Sequence, residues 1–294
     1  MHKGGLHPGL GRPIVQLSGP QGVSEPMMSA IPAPAISFER VAVAYDGQGA
    51  VAGVSLAVPA GEFVAVVGPS GAGKTTLLRL INRLAEASAG VVRVEGEDVR
   101  ATDPVALRRR LGYVFQNVGL FPHMTVAENI AITPRLLGWD EPRRAARVDE
   151  LIDLVRLDRT RHRDRFPHQL SGGERQRVGV ARALAARPSI VLMDEPFGAL
   201  DPLTRDAIGR DFRGLHETLG LTTVLITHDM LEAVLLADRI VVMRGGAVIA
   251  DGPPRALMGD DADPYVRELM QTPRRQAERL NALTTGRNPE GPGA

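Results

Sequence analysis

The sequence predicts an α/β fold: a parallel sheet covered on both faces by helices, with a small antiparallel β subdomain and an inserted α-helical subdomain. Three observations predict it. Short β-branched runs, "EFVAVVG" at 62–68, "SIVLMDEP" and "TTVLITHD", are apolar until they meet a glycine, an acid or a polar end, as strands buried on both faces do. Helix-forming segments such as "KTTLLRLINRL" separate them, which implies crossovers and a parallel sheet. From 117 to 186 strong strand signals stop, and "EPRRAARVDELIDLVRL" and "ERQRVGVARALAA" read as amphipathic helices.

In chain order, residues 1–35 read as a disordered extension, because Gly and Pro punctuate them and they offer little to bury. The pair Met27–Met28 in this stretch hints at a later translation start. "ISFERVAVAY" from Ile36 and "VSLAV" from Val54 follow as strands of the small antiparallel sheet. The main domain is expected over 36–272, with 273–294 a flexible, solvated tail ending in "NPEGPGA".

Composition excludes some classes of function. The 294 residues are 44% hydrophobic and 23% charged, ordinary values for a soluble globular chain. A formal net charge of +1 gives no field that would gather nucleic acid, so no nucleic-acid partner is expected. Basic clusters at 108–110 and from Arg159 are interspersed with acids and read as surface charge. With no cysteine, disulfide and thiol chemistry are absent. No apolar run approaches the roughly 18–20 residues a bilayer span requires.

"GPSGAGKT" (68–75) carries chemistry. It matches G-x-x-x-x-G-K-[ST], the phosphate-binding loop, between a strand and a helix as that loop demands. Gly68, Gly71 and Gly73 let backbone N–H groups approach phosphate oxygens, with Pro69, Ser70, Ala72 and Thr76 completing the cradle. Lys74 supplies positive charge to the β- and γ-phosphates, and the Thr75 hydroxyl can ligate Mg²⁺. The fold expectation sharpens to a P-loop NTPase (RecA-like) core. In "IVLMDE", Asp194 at a strand end is placed to hold Mg²⁺, and Glu195 can orient and polarise an attacking water. ATP with Mg²⁺ is the expected ligand, although these two motifs alone also suit kinases, GTPases and helicases.

"LSGGERQRVGVARAL" from Leu170 distinguishes among them. Ser171 can cap the helix it opens, and Glu174 completes a capping box. Such a helix start, with Gly172 and Gly173, is a second anion site in the same chain. "LSGGERQR" resembles the signature of ATP-binding-cassette (ABC) ATPases, and other motifs of that family follow. Gln116 in "YVFQN" matches the Q-loop glutamine, which the resemblance implies contacts the metal and links core to helical lobe. "GALD" ends in Asp201 where the family's D-loop is usually S-A-L-D, so its first residue departs. His228 in "LITHD" matches the switch histidine that contacts the γ-phosphate, and Tyr45 sits where the family stacks an aromatic ring on adenine.

The resemblance, over essentially residues 36–270, implies that two ATPase chains pack head to tail. The phosphate loop of one and the "LSGG" of the other then sandwich one ATP. It also implies a membrane permease, a solute-binding protein and a peripheral place on the cytoplasmic face of the membrane. "INRL", "DPVALRRRLGYVFQNVGLFPHMTVAENI", "FGALDPLTRD" and "HDMLEAVLLADRIV" are similar to importers of glycine betaine, choline and related quaternary amines. An importer of another small polar solute, such as an amino acid or sulfonate, and a soluble non-transport ABC ATPase are the alternatives. Many such relatives carry paired C-terminal regulatory domains; the residues after Met270 are too few for one, so ionic-strength sensing by that route is not expected. In "VGLFPHMTV", Leu120, Phe121 and Met124 read either as core or as a groove wall for a permease helix.

Overall fold

The computed structural model describes residues 33–45, 48–259 and 263–285, with Tyr45, Gln48 and several residues beyond Thr272 described by backbone alone. Residues 1–32 of the expected extension, with Met27–Met28, lie outside them.

β1 (Ile36–Tyr45) pairs antiparallel with β2 (Gln48–Val58), Ile36 opposite Val58. β2 starts well before the run marked from Val54, because register shifts at Val51 and Gly49 let β2 bulge out its extra residues and stay paired with β1. The chain then enters the main sheet as β3 (Phe63–Val67) and passes through the phosphate loop to α1 (Lys74–Ile81). It returns to the small sheet as β4 (Ala89–Val94) and β5 (Glu97–Asp98), giving the order β2-β1-β4-β5. α2 (Pro104–Arg110), capped by Asp103, leads back to the main sheet at β6 (Leu111–Val114).

Four helices follow with no strand between them: α3 (Val126–Leu136), α4 (Glu141–Leu154), the one-turn α5 (Arg159–His162) and α6 (Gly172–Leu184). The main sheet resumes at β7 (Ile190–Asp194), then α7 (Pro202–Leu219), β8 (Thr222–Ile226), α8 (Met230–Leu236), β9 (Arg239–Arg244) and β10 (Ala247–Gly252). Its order is β10-β9-β3-β8-β7-β6, parallel except for β10 at one edge.

The two-residue period of the strands divides the core. Phe63, Ala65 and Val67 face one hydrophobic cluster with Val191, Met193, Leu225, Ile240 and Val242. Val64 and Val66 face a second with Leu192, Val224, Ile226, Val241 and Met243. The first cluster includes residues of α3, α4 and α6, and the second joins α1 to the small antiparallel sheet. Phe63 meets Phe212 edge-on at 5.9 Å. Each such fully buried side chain contributes about 1.5–3 kcal/mol, enough to fix the strand ends from which the site is built.

The chain ends on α9 (Pro254–Leu257) and α10 (Pro264–Thr285). α10 runs past 273, where the tail was expected, to Thr285, and residues 286–294 of that tail lie outside the described residues. Val266 and Met270 anchor the helix's first turns in the core, and "RRQAERLNAL" is rich in helix formers that carry it on to Thr285. Among the described residues no helix is long and apolar enough to cross a membrane.

Candidate active site

Four parallel strands deliver their polar ends to one edge of the sheet: β3 the phosphate loop, β6 Gln116, β7 Asp194 and Glu195, β8 His228. Ligands of open α/β sheets bind at this carboxyl edge. The loop after β3 is held by Ala72 N–H donating to the Pro69 carbonyl at 3.2 Å. Gly73 caps α1 at φ +97, where a Cβ would stand 2.3 Å from the Ala50 carbonyl oxygen. Only glycine fits there. Having no side chain to cap the helix, Gly73 leaves the first-turn N–H groups of Lys74, Thr75 and Thr76 open to an outside acceptor. Lys74 is buried, and its Nζ donates to the carbonyls of Gly68 at 2.7 Å and Pro69 at 3.0 Å. Burial lowers its pKa, opposed by the charges of Glu195 and Asp194. Open helix N–H groups, an ammonium and an uncapped glycine turn form a donor set that fits a polyphosphate.

Across from the loop, the Thr75 hydroxyl donates to Asp194 Oδ1 at 3.2 Å. Tyr113, on β6, reaches the other oxygen, Oδ2, at 3.5 Å. Burial raises the Asp194 pKa, and the Thr75 hydrogen bond works against it. Burial also raises the Tyr113 phenol, so Tyr113 stays a donor. A hydroxyl and a carboxylate side by side at a phosphate loop suit Mg²⁺, which takes one or two protein oxygens and completes its shell with phosphate and water.

Glu195 has φ +45, a left-handed backbone unusual for a side chain with a Cβ. Such a conformation costs on the order of 1–3 kcal/mol and persists only where its surroundings enforce it. Here the Glu195 N–H donates to the Ile226 carbonyl at 2.9 Å, and its own carbonyl accepts from Gly198 at 3.3 Å. The turn aims its carboxylate at Gln116 Nε2, 3.1 Å away, and His228 Nδ1, 3.3 Å away.

The second helix start is built as its sequence indicates. Ser171 caps α6, its hydroxyl accepting from Glu174 N–H at 3.2 Å while Glu174 accepts from Ser171 N–H at 2.8 Å. Asp201 caps α7, accepting from Thr204 N–H at 3.0 Å. These two helix starts are neighbours: a Cβ on Gly173 would stand 2.7 Å from Thr204 Cγ2, and one on Gly172 3.7 Å from Leu200. Among the described residues no hydrogen bond joins Ser171, Gly172, Gly173 or Asp201 to the phosphate loop, so the structure does not bring them together with the Lys74 cluster. Tyr45 ends β1, and its side chain lies outside the described residues.

The family model for the ABC transporter matches residues 51–198, from β2 through the turn after Glu195. The chain belongs to the ABC transporter family. The choline transport ATP-binding protein OpuBA of Bacillus subtilis is 49% identical over 236 residues, covering 80% of this chain and 62% of that protein. The glycine betaine uptake system ATP-binding protein YehX of Escherichia coli is 47% identical over 234 residues, covering 80% of this chain and 76% of that one. This chain thus spans about three-fifths of the length of the Bacillus relative. Among solved structures, the dimeric post-hydrolysis state of the ATP-binding cassette MJ0796, bound to ADP and Pi, aligns with TM-score 0.68. It is 33% identical, covering 74% of this chain and 98% of that chain.

In this ABC family member, several residues that support the site were not singled out from the sequence. Arg182 of α6 reaches back to donate to the carbonyls of Val118 and Gly119 at 2.6 Å each, tying the loop after Gln116 to the signature helix. Arg205 of α7 pairs with Asp229 at 3.0 Å and donates to the Leu200 carbonyl at 3.1 Å, joining the turn after Glu195 to the His228 loop. Asn129, fully buried, accepts from Phe121 N–H at 2.8 Å and donates to the carbonyls of Met124 and Thr125. Its signal in the sequence is a polar residue on the apolar face of α3, between Val126 and Ile130. Asn129 fixes the turn that leaves Phe121 40% exposed, while Leu120 packs against the core and Met124 lines a groove of about 450 Å³ between α3 and α4.

Proposed function

We propose that this chain is the ATP-binding and hydrolysing subunit of a bacterial ABC importer for quaternary amine osmoprotectants, in the class of glycine betaine, choline and carnitine. The observation that carries the ATPase reading is the convergence of Lys74, Thr75, Asp194, Glu195, Gln116 and His228 on one sheet edge. Residues 36–272 form the ATPase domain in this reading, with 117–186 its helical subdomain. In it the N–H groups of 68–76 and Lys74 bind the phosphates of ATP. Thr75, Asp194 and Gln116 hold Mg²⁺, which neutralises phosphate charge when bound. Glu195 orients the attacking water, and His228 contacts the γ-phosphate. Tyr45 stacks on the adenine.

Ser171, Gly172, Gly173 and Asp201 complete the site of a second copy. Shutting a dimer that is mostly open takes about 5.5 kcal/mol of differential binding. Charge-assisted hydrogen bonds contribute about 1.5–3 kcal/mol each, so a few at two composite sites suffice, and loss of the γ-phosphate releases them. The exposed Phe121 and the groove beside it receive a helix of the permease, and in this reading the subunit sits peripherally on the cytoplasmic face of the membrane, as the family resemblance implies. The solute class rests on the names borne by the relatives, and a lipid-anchored or periplasmic binding protein delivers it.

The test is the ATPase activity of the transporter reconstituted with its permease and binding protein. Stimulation by glycine betaine, choline or carnitine is expected. Stimulation by an unrelated solute alone would overturn the solute class, and absence of Mg²⁺-dependent ATP hydrolysis would overturn the ATPase reading.

A further inference from the structure

His162 lies in the one-turn α5 and is 4% exposed. Both of its ring nitrogens face oxygen: Nδ1 is 2.9 Å from the Asp158 carbonyl and Nε2 is 2.9 Å from Glu174 Oε1. The other carboxylate oxygen, Oε2, accepts from the Ser171 N–H. Two side chains, His162 and Glu174, therefore link α5 to the backbone of Ser171, the residue that opens α6.

The Glu174 carboxyl is pushed down to about 2, first by the Ser171 N–H and then by the His162 ring. Ionised, Glu174 is only an acceptor. Toward that acceptor the ring must donate, so Nε2 carries a proton and donates it in a hydrogen bond to Glu174 Oε1. The contact is charge-assisted through the ionised acceptor, with the ring buried and the Glu174 side chain partly exposed. A capping box does not need this. At α3 the Thr125–Glu128 box closes in the same way on an exposed surface, and among the described residues no third side chain hydrogen-bonds Glu128. The box at α6 is distinguished by its buried clamp.

We propose that His162 is a positioning residue for the Ser171 end of α6, acting through Glu174. It fixes the carboxylate that fixes the Ser171 backbone, and so sets where the Ser171 hydroxyl and the N–H groups of Gly172 and Gly173 point. This rests on the reading in which those groups meet the nucleotide of a second copy, so its effect belongs to closure and not to the chain's own phosphate loop.

The experiment uses the full chain in a Glu195→Gln background, with His162→Leu and His162→Gln added separately. Affinity of the monomer for a fluorescent ATP analogue, melting temperature and ATP-driven dimerisation by sedimentation are measured. His162→Leu, which removes both bonds, is expected to weaken dimerisation about 10–100-fold, the range of one charge-assisted hydrogen bond. Monomer affinity should stay within about two-fold. His162→Gln keeps a neutral donor toward Glu174 and should lose several-fold less. A folded variant of either kind that dimerises as tightly as the background overturns the proposal, as does a loss of monomer affinity equal to the loss of dimerisation. Should the leucine variant not fold, the glutamine variant decides by the same criterion. If the background itself does not dimerise on ATP, the two-chain reading fails instead. Amide exchange then decides the clamp: faster exchange at Ser171 and Glu174 in the variants supports it, and unchanged exchange overturns it.

Discussion

The side-chain amide of Gln116 donates to Glu195 Oε2 across 3.1 Å, and the same oxygen lies 3.3 Å from His228 Nδ1. Residues from the ends of three adjacent strands, β6, β7 and β8, thus converge on one carboxylate oxygen. A carboxylate held from two sides has a fixed direction, which its proposed role of orienting water requires. Gln116 also begins the loop that Arg182 ties to α6, so the carboxylate is joined to the helical lobe through one short path.

Glu195→Gln tests that oxygen. The amide keeps the shape of the side chain but cannot accept a proton. Turnover is expected to fall about 10²–10⁴-fold, the span for losing a positioned general base. ATP binding should persist, because Lys74 and the loop N–H groups are untouched, and ATP should then hold the dimer shut. Steady-state hydrolysis and sedimentation with ATP check both halves. Near-normal hydrolysis would remove Glu195 from this role.

The separation of the two helix starts yields a complementation test. Lys74→Ala removes the ammonium, and Ser171→Arg obstructs the opening of α6; each alone should be nearly inactive. Mixing them makes dimers in which one composite site joins an intact loop to an intact signature and the other carries both lesions. Partial recovery of hydrolysis on mixing is expected if one site can fire alone. Full activity of a strictly monomeric chain would count against a shared site.

The main sheet and its site were legible because buried parallel strands are nearly uniform in composition and end abruptly. "FVAVV" stops at the glycine loop that carries Lys74, "IVLMD" ends on Asp194 with Glu195 next, and "TTVLI" stops two residues before His228, which the family resemblance singled out. The supports were less legible because their partners are distant in sequence. Arg182 and Val118 are 64 residues apart, and an arginine inside a helix looks like surface until its carbonyl partners are seen. Tyr113 alternates with apolar neighbours and reads as an ordinary strand residue. The continuation of α10 was not read because Pro273 and the charged run after it interrupt an apolar spacing that resumes only at Ala277, Leu280 and Leu283.

Glu232, in α8, predicts a pH dependence of stability. Its Oε1 is buried without a hydrogen-bond partner, while Oε2 accepts from the Thr227 hydroxyl. Burial pushes its pKa up to about 7 from an ordinary 4.5, against the pull of the Thr227 hydroxyl. Between those values the folded chain keeps a proton that the unfolded chain releases. Stability from this group therefore falls as pH rises from 4.5 to about 7 and stays lower above it. Glu232→Gln cannot ionise and keeps an acceptor for Thr227. It should match the parent near the low end of that interval and exceed it by about 1–3 kcal/mol at about pH 8. Denaturant unfolding at the two pH values checks this, and equal differences at both would remove Glu232 as the cause.

Phe121 tests the proposed permease contact. Its ring is 40% exposed, yet Asn129 holds its backbone from both sides, accepting from its N–H at 2.8 Å and donating to its carbonyl at 3.2 Å. A surface aromatic on so fixed a turn, beside a groove in which Met124, Ala131 and Ile132 are ringed by charged residues such as Glu128, Arg135 and Arg144, is suited to receive the apolar face of an amphipathic helix. Phe121→Asp leaves Asn129 and the core contacts of Leu120 in place, so the isolated subunit should fold, bind ATP and hydrolyse it as the parent does. Desolvating the new carboxylate against an apolar helix costs several kcal/mol, so co-purification with the permease and solute-stimulated hydrolysis in the reconstituted transporter should both be lost. Retained stimulation by solute in the Phe121→Asp transporter would place the permease contact elsewhere on the surface.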